Sequence, residues 1–329
     1  MKFMETISVA VITFNGERYI YEQLESIRTQ SLPPQQVLIF DDCSFDKTYE
    51  IIYEFIETNN LSNWRLFKRT SNVGWRQNIF EALMQCDTDI IFWSDQDDVW
   101  EGNKIEKLVS LMDEKNCMAT YSSWRYIDSL GGLLNIFSGK NTCKTIEINP
   151  FFKSPNIPPL LGCSACFRRE IILQLQKIFP CEFDSPDWIL YFLAVSVGKV
   201  RYIDQPLFKR RVHNNNLTTS LNTLNKSWNF NYEKRVESLK VLELQLRTLN
   251  KIVHFIKKIH PSSENSFVEC ERDYLRYRVQ FLEQRKYIFN YLYFSYKQNY
   301  FFDFIRTIID DILFICVSLY KRGFSNKFD

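Results

Sequence analysis

Short apolar runs alternate with amphipathic stretches over residues 7–116, and this rhythm constrains the fold more than any other feature. The apolar runs predict strands at residues 7–12, 37–40, 64–68 and 90–93. The amphipathic stretches predict helices at residues 18–30, 46–59, 75–84 and 104–116. Strands buried on both faces by helices are continuously apolar, as residues 9–12 are. The pattern therefore predicts an α/β fold with a mainly parallel central sheet.

The rhythm changes after residue 116. A strand is predicted at residues 120–124, followed by a turn at Gly131-Gly132 and a proline-rich loop that ends at Pro159, so the sheet is expected to be mixed. Three long helical stretches then follow, at residues 225–258, 264–297 and 301–322. We therefore expect a catalytic or binding domain over residues 1–220 and a helical appendage over residues 221–329.

Polar clusters follow three of the predicted strands. They lie at residues 13–17, 41–44 and 94–98. Because ligands of open α/β sheets bind at the carboxyl ends of the strands, these clusters predict one shared site. None of the nine glycines forms a G-x-G-x-x-G or a P-loop, which disfavours a dinucleotide oxidoreductase and a P-loop NTPase.

A metal ion is the remaining means of neutralising a bound diphosphate. Asp95 and Asp97 supply the hard oxygen ligands that Mg²⁺ or Mn²⁺ prefers. Two carboxylates spaced by one residue on an extended segment point the same way and can share an ion. The alternative is a solvated acidic loop that caps the next helix.

The run Ser94-Asp95-Gln96-Asp97-Asp98-Val99-Trp100 resembles the D-x-D element of the family 2 glycosyltransferases, in particular their bacterial rhamnosyltransferase-like branch. Further similarity covers residues 7–216: Val11 to Asn15, Asp41-Asp42-Cys43-Ser44, Asn72-Val73-Gly74, Asp187-Trp188, and a stretch from Pro206 through Arg211 and His213 to Asn215. The resemblance implies a GT-A nucleotide-sugar-binding fold.

The resemblance also assigns roles to individual residues. Asp187 stands in the place of the catalytic general base. Asp95, Asp97 and His213 stand in the places of metal ligands. The residues implied to bind the nucleotide sugar are Thr13, Asn15, Glu17, Asp42, Asn72, Gly74, Asp95 and Arg211.

The residues themselves leave two roles open. Asp187 precedes a long apolar stretch and follows Ser185 and Pro186, so it could also serve only to cap a helix. His213 is one of three histidines and lies in an arginine-rich stretch, where it could be either structural or a ligand.

The reaction implied by the resemblance is a metal-dependent, inverting transfer of one sugar from a nucleoside diphosphate to a lipid-linked saccharide. A dTDP-rhamnose donor is the first expectation, and a UDP donor of galactose, glucose or N-acetylhexosamine is the alternative. A nucleotidyltransferase would need a glycine-rich basic loop after the first strand, where Thr13 to Glu17 stand instead. A non-catalytic nucleotide-sugar-binding or scaffold protein is the alternative from a different class.

Charge and cysteine content bound the partners and the compartment. The formal net charge is only +2, which gives no reason to expect a nucleic-acid partner. Nine cysteines, and no apolar leader before the first strand, suggest reduced thiols and a cytoplasmic location. Cys163 and Cys166 form a lone C-x-x-C, for which small residues on a buried strand are the favoured interpretation over metal or redox work.

The predicted appendage concentrates basic and aromatic residues. From Asn225 onward the chain carries 18 Lys and Arg against 12 Asp and Glu. The best candidate for a membrane span, the apolar run at residues 312–320, is too short to cross a bilayer. An aromatic and basic helical surface favours peripheral contact with the inner face of the cell membrane. Packing against the catalytic domain, or against a second copy in a homodimer, is the alternative.

Overall fold

The structure is a computed structural model that describes residues 5–148, 160–179, 186–213, 232–259 and 267–284. The described residues fall into two compact units. The first unit contains the sheet and the helices packed on it, and the second contains two helices.

Strands and helices alternate through the start of the first unit, as the sequence predicts. The elements are β1 (Ile7–Thr13), α1 (Ile20–Arg28), β2 (Gln36–Asp41), α2 (Thr48–Thr58), β3 (Trp64–Lys68), α3 (Trp75–Gln85), β4 (Ile90–Ser94), β5 (Val99–Trp100) and α4 (Lys104–Ser110). Every residue of β1 and β4 is buried, in agreement with strands covered on both faces.

One predicted helix is too long. The chain leaves the helix of residues 104–116 after Ser110, where tight turns bring the amide of Leu111 to the carbonyl of Leu108 and that of Met112 to Val109. The next strand then starts at residue 117 and is longer than the predicted 120–124. The remaining elements are β6 (Cys117–Ile127), β7 (Leu133–Phe137), β8 (Thr145–Glu147), β9 (Ala165–Arg168), α5 (Arg169–Leu175), α6 (Pro186–Val197) and β10 (Lys199–Arg211).

The ten strands form one mixed sheet. The order along its main path is β3-β2-β1-β4-β9-β6-β10-β5, while β7 pairs with β6 and β8 pairs with β10. Strands β3, β2, β1 and β4 are parallel, β9 is antiparallel to both of its neighbours, and β6 and β10 are parallel to each other. The prediction of a mixed, mainly parallel sheet is confirmed. The topology brings the loops that follow β1, β2 and β4 to the same edge.

The second unit contains α7 (Tyr232–Ile259) and α8 (Phe267–Gln284). Buried side chains recur at helical spacing on α7, at Leu249, Ile252, Val253 and Ile256, and on α8 at Leu275 and Val279. These positions form the apolar stripes through which two amphipathic helices pack. The third predicted helix, residues 301–322, lies outside the described residues. No helix in the described part of the chain is long and apolar enough to cross a bilayer.

Candidate active site

Polar side chains fix the loops after β1 and β2 to each other. Asp41 is fully buried and accepts hydrogen bonds from the Thr13 hydroxyl at 3.0 Å and from the amide of Ser44 at 3.0 Å. Asn15 has a positive φ of 49°, and its side-chain oxygen accepts the amide of Phe45 at 3.1 Å. Because the Thr13–Asp41 and Asn15–Phe45 bonds join residues 28 and 30 apart in sequence, the two loops form one preorganised rim.

Glu17 connects this rim to the start of α2, and Asp42 connects it to the loop before α3. The Glu17 carboxylate accepts the amide of Lys47 at 3.0 Å, at the start of α2. Asp42 is buried, and its two carboxylate oxygens accept the amides of Val73 and Gly74 at 2.8 Å each. The loop before α3 is thereby tied to β2, and the predicted residues Asn72 and Gly74 lie beside Asp42.

Gln96 joins the acidic loop to the end of β1. Its side-chain oxygen accepts the amide of Phe14 at 2.8 Å, and its side-chain amide donates to the carbonyl of Phe14 at 3.0 Å. A Cβ atom at Gly16 would lie 2.3 Å from the Gln96 side-chain oxygen, so only glycine leaves room for this pairing. The sequence pattern marks Gln96 only as the residue between two aspartates and gives no sign of this role.

Asp97 and His213 face each other across the site. The His213 Nε2 atom lies 2.9 Å from the Asp97 Oδ2 atom, and both side chains are only partly exposed. His213 follows directly on the end of β10, and its ring packs on the ring of Tyr19 with centroids 5.0 Å apart. The structure therefore brings together two of the three predicted metal ligands.

Arg211 is buried beside this pair and bonded to protein atoms. Its guanidinium donates to the carbonyl of Asp97 at 3.0 Å and to the Glu22 carboxylate at 2.6 Å, and it lies over the ring of Tyr19. Only 2% of the side chain is exposed. Arg211 thus holds the acidic loop through the Asp97 carbonyl, and it packs on the same Tyr19 ring as His213.

Asp95 and Asp98 lie at the buried side of the same loop. The indole of Trp93 donates to Asp95 at 2.9 Å. Burial, reinforced by the Asp97 charge, raises the pKa of Asp95 to about 6 and that of Asp98 to about 8. One Asp98 oxygen is buried and has no hydrogen-bond partner among the described residues. The two carboxyls therefore differ, and Asp98 is the one that keeps its proton near neutral pH.

Cys163 completes a second group of metal-ligand atoms. One atom each of Asp95, Asp98 and Cys163 lie within 4.8 Å of one another. Burial raises the pKa of the Cys163 thiol well above its ordinary value, and a neutral thiol is a poor ligand. Mg²⁺ and Mn²⁺ also prefer oxygen. The carboxylate oxygens of Asp95 and Asp97 are ligands of the kind that these cations prefer.

Asp187 lies in the first turn of α6. Its carboxylate accepts the amide of Trp188 at 2.9 Å and the amide of Gly162 at 3.3 Å. Gly162 belongs to a short 3-10 turn, Gly162–Ser164, which leads into β9. Burial and the Asp97 charge raise the pKa of Asp95 most, and the Asp187 charge adds a smaller contribution in the same direction. The contact with Gly162 goes beyond what a helix-capping role requires.

Two buried residues of this region escaped the sequence analysis. Asp41 was quoted only as part of a polar cluster, and its role as organiser of the loops depends on contacts with distant residues. Lys104 is fully buried, and its ammonium donates to the carbonyl of Cys163 at 2.6 Å. A lysine in the first turn of a helix opposes the helix dipole, and this is the signal that could have revealed it.

The sequence matches the family model described as "Glycosyl transferase family 2" over residues 8–175. Among curated relatives, the chain is 29% identical to "dTDP-rhamnosyl transferase RfbG" of Shigella flexneri over 217 residues, which are 62% of this chain and 72% of RfbG. It is 31% identical to the poly(ribitol-phosphate) β-N-acetylglucosaminyltransferase TarS of Staphylococcus aureus (strain Mu50 / ATCC 700699) over 200 residues, or 60% of this chain and 34% of TarS.

Solved structures of similar fold include residues 1–349 of S. aureus TarS in complex with UDP-GlcNAc. The TM-score is 0.58 at 15% identity, covering 97% of this chain and 92% of that one. A mannosyltransferase from Pyrobaculum calidifontis, in complex with GDP-Man and Mn²⁺, gives a TM-score of 0.52 at 14% identity over 90% of this chain and 73% of that one. These likenesses show the fold, and they confirm the expected GT-A type.

Gln96 provides a test of how far the joined loops matter for ligand binding. Gln96→Ala removes both hydrogen bonds to Phe14, each of which contributes ~0.5–1.5 kcal/mol. Because these bonds order the acidic loop, the variant should bind the nucleotide about tenfold or more weakly. Calorimetric titration with UDP and dTDP in the presence of Mn²⁺ measures this. Gln77→Ala is the control, because Gln77 only pairs with Glu81 along α3. Equal affinities in the two variants would contradict the prediction.

Proposed function

The chain belongs to glycosyl transferase family 2, and we propose that it transfers one sugar, with inversion, from a nucleoside diphosphate to a lipid-linked saccharide. The single observation that carries the proposal is the 2.9 Å contact of Asp97 with His213 at the carboxyl edge of the sheet, where Asp95 lies in the same acidic loop. Asp187, held by the amides of Gly162 and Trp188, supplies a further carboxylate. This arrangement supports a donor diphosphate and an acceptor hydroxyl side by side.

Asp95, Asp97 and His213 would hold a divalent cation, Mg²⁺ or Mn²⁺. A bound cation would stabilise the negative charge on the departing nucleoside diphosphate. The rim formed by Thr13, Asn15, Glu17, Asp42, Asn72 and Gly74 would receive the nucleoside. Beside Asn15, the rings of Phe14 and Phe45 lie edge to face and are 40% and 85% exposed, which offers the base an apolar surface.

Asp187 would act as the general base. Its carboxylate takes the proton of the acceptor hydroxyl as that oxygen attacks the anomeric carbon of the sugar. The bond from the anomeric carbon to the diphosphate oxygen breaks in the same step, so the configuration inverts. The amides of Gly162 and Trp188 hold the carboxylate in place for this role. Fixing the two substrates in this geometry can contribute ~7–11 kcal/mol to catalysis.

Rhamnose from a dTDP donor is the proposed sugar, because RfbG bears the name of a dTDP-rhamnosyl transferase. Other relatives carry the names of enzymes that use other sugars. One is the UDP-Glc:α-D-GlcNAc-diphosphoundecaprenol β-1,3-glucosyltransferase WfgD of Escherichia coli, 26% identical over 194 residues. UDP-linked glucose, galactose and N-acetylhexosamine are therefore the competing donors.

The name of WfgD also supports a lipid-linked acceptor and a role in surface polysaccharide biosynthesis. An enzyme with such an acceptor works at the cytoplasmic face of the membrane. We extend the proposal to a catalytic domain over residues 1–220 and a helical appendage over residues 221–329 that touches the membrane peripherally. The aromatic and basic residues that carry this part of the proposal lie beyond residue 284, outside the described residues.

The metal role is tested with Asp97→Ala. The variant loses a carboxylate that would share the cation, so transfer should fall to background while the thermal unfolding midpoint stays near that of the wild type. Release of nucleoside diphosphate is measured with dTDP-rhamnose and UDP-sugars, an alkyl-diphosphate-linked GlcNAc acceptor, and Mn²⁺ or Mg²⁺. Asp87→Ala, at an exposed position, is the control. Full activity of the wild type in excess chelator would contradict the metal role.

The role of Asp187 is tested with Asp187→Asn. The amide keeps the size of the side chain and one acceptor oxygen but is a far weaker base, so transfer should fall by ~10²-fold or more. Affinity for the nucleoside diphosphate, measured by calorimetry, should stay within a few-fold. Near-normal turnover would return Asp187 to a capping role, which asparagine also fills.

Membrane contact is tested through five basic residues of the appendage. They are Lys286, Lys297, Arg306, Lys321 and Arg322. Each basic residue near an anionic surface contributes about 1 kcal/mol, so replacing all five by Gln should abolish binding to phosphatidylglycerol vesicles. Binding of the wild type should weaken as salt rises. Phosphatidylcholine vesicles are the control. Unchanged vesicle binding by the variant would favour packing or dimerisation.

A further inference from the structure

Lys104 is buried in a place where a lysine is costly. It is the first residue of α4, where a positive charge opposes the helix dipole, and its side chain is fully removed from solvent. Lysine is almost never fully buried unless its charge is paired. Burial lowers the pKa of Lys104 to about 8, which records the cost of removing the ammonium from water.

The Lys104 side chain contacts two aromatic rings and one short turn of the backbone. The ammonium passes over the rings of Trp100 and Phe208, at 3.8 and 4.6 Å from their centroids, and donates to the carbonyl of Cys163 at 2.6 Å. Cys163 is the central residue of the turn Gly162–Ser164. The only hydrogen bond of this ammonium recorded among the described residues therefore holds that turn.

The turn Gly162–Ser164 connects Asp187, the proposed base, with the residues that contact Asp95, a proposed metal ligand. On one side, the amide of Gly162 donates to the Asp187 carboxylate at 3.3 Å. On the other side, a Cβ atom at Gly162 would lie 2.0 Å from the ring of Trp93, so the backbone rests directly on this indole. The Trp93 indole in turn donates to Asp95 at 2.9 Å. Gly162 thus contacts both Asp187, the proposed base, and Trp93, whose indole donates to the proposed metal ligand Asp95.

We propose that Lys104 is a positioning residue that holds the turn Gly162–Ser164, and through it the Asp187 carboxylate, at the separation from Asp95 that sugar transfer requires. The inference rests on the proposed function, because it takes Asp187 as the base. Lys104 itself touches neither substrate. It acts by fixing a carbonyl, so its loss should alter turnover and leave the nucleoside rim, which is built from other loops, as it is.

Lys104→Met tests this role, because methionine matches much of the lysine stem and removes the donor and the charge. A base displaced by about 1 Å lowers turnover on the order of 10²-fold. We expect kcat to fall on the order of 10²-fold, measured with whichever donor is active in the transfer screen. The Kd for the nucleoside diphosphate should stay within threefold of the wild-type value. Lys107→Met, an exposed lysine of the same helix, should behave as wild type. A kcat within twofold of wild type in folded Lys104→Met would overturn the proposal.

A second variant, Ser164→Ala, alters the same turn without changing Lys104, and it is used in case Lys104→Met does not fold. The Ser164 hydroxyl accepts the amide of Leu161 at 3.1 Å and donates to its carbonyl at 2.8 Å, closing the turn without Lys104. Ser164→Ala should loosen the turn and lower kcat about tenfold, again with unchanged Kd. Equal kcat in Ser164→Ala and wild type would contradict the proposal.

Asp187→Asn, measured alongside, separates the two hypotheses. If it is inactive while Lys104→Met and Ser164→Ala are normal, the base assignment stands and the positioning role fails. If Asp187→Asn is active, the proposed base fails, and the positioning role fails with it.

Discussion

The crowding of carboxyl groups at one edge of the sheet is the constraint on which the rest of this site depends. Asp95, Asp97 and Asp98 follow one strand, and the topology adds Asp187 from α6. Burial, and after it the nearby like charges, raise the pKa of Asp95 and of Asp98. Arg210, Arg211 and Lys104 supply compensating charge from β10 and α4. A divalent cation would complete this balance, and it would neutralise the donor diphosphate as well.

Hydrogen bonds from main-chain amides hold much of this edge in shape. Asp42 and Gln96 accept amides from loops distant in sequence, and Asp41 accepts the Thr13 hydroxyl 28 residues away, so the rim is built before any ligand arrives. Such preorganisation lowers the ordering cost of binding. It also means that several acidic residues that sequence patterns assign to the nucleoside have structural work to do. Asp42, with both oxygens engaged by amides, is the clearest case.

Local patterns predicted the part of the fold in which neighbouring residues determine the element. The alternation over residues 7–94 gave four strands and three helices, and the acidic loop came with them. Strands β9 and β10 were not predicted. β9 has only four residues, and β10 contains Pro206 with register shifts on both sides of it, so neither strand leaves a clear periodic signal. The same limit hid Lys104 and Asp41. Their roles arise from contacts across 59 and 28 residues, which the spacing of residue types does not encode.

The buried Asp98 and Lys104 show that this site is maintained against stability. Each is fully removed from solvent, and each has its pKa shifted toward the neutral form by burial. Taking a titratable side chain out of water costs free energy unless it is paired and hydrogen-bonded, and one Asp98 oxygen has no hydrogen-bond partner among the described residues. A chain shaped for stability alone would therefore place apolar side chains at both positions. Because Asp98 and Lys104 occupy these positions instead, we infer that the benefit of orienting Asp95, Asp97 and the turn Gly162–Ser164 outweighs their cost in folding free energy.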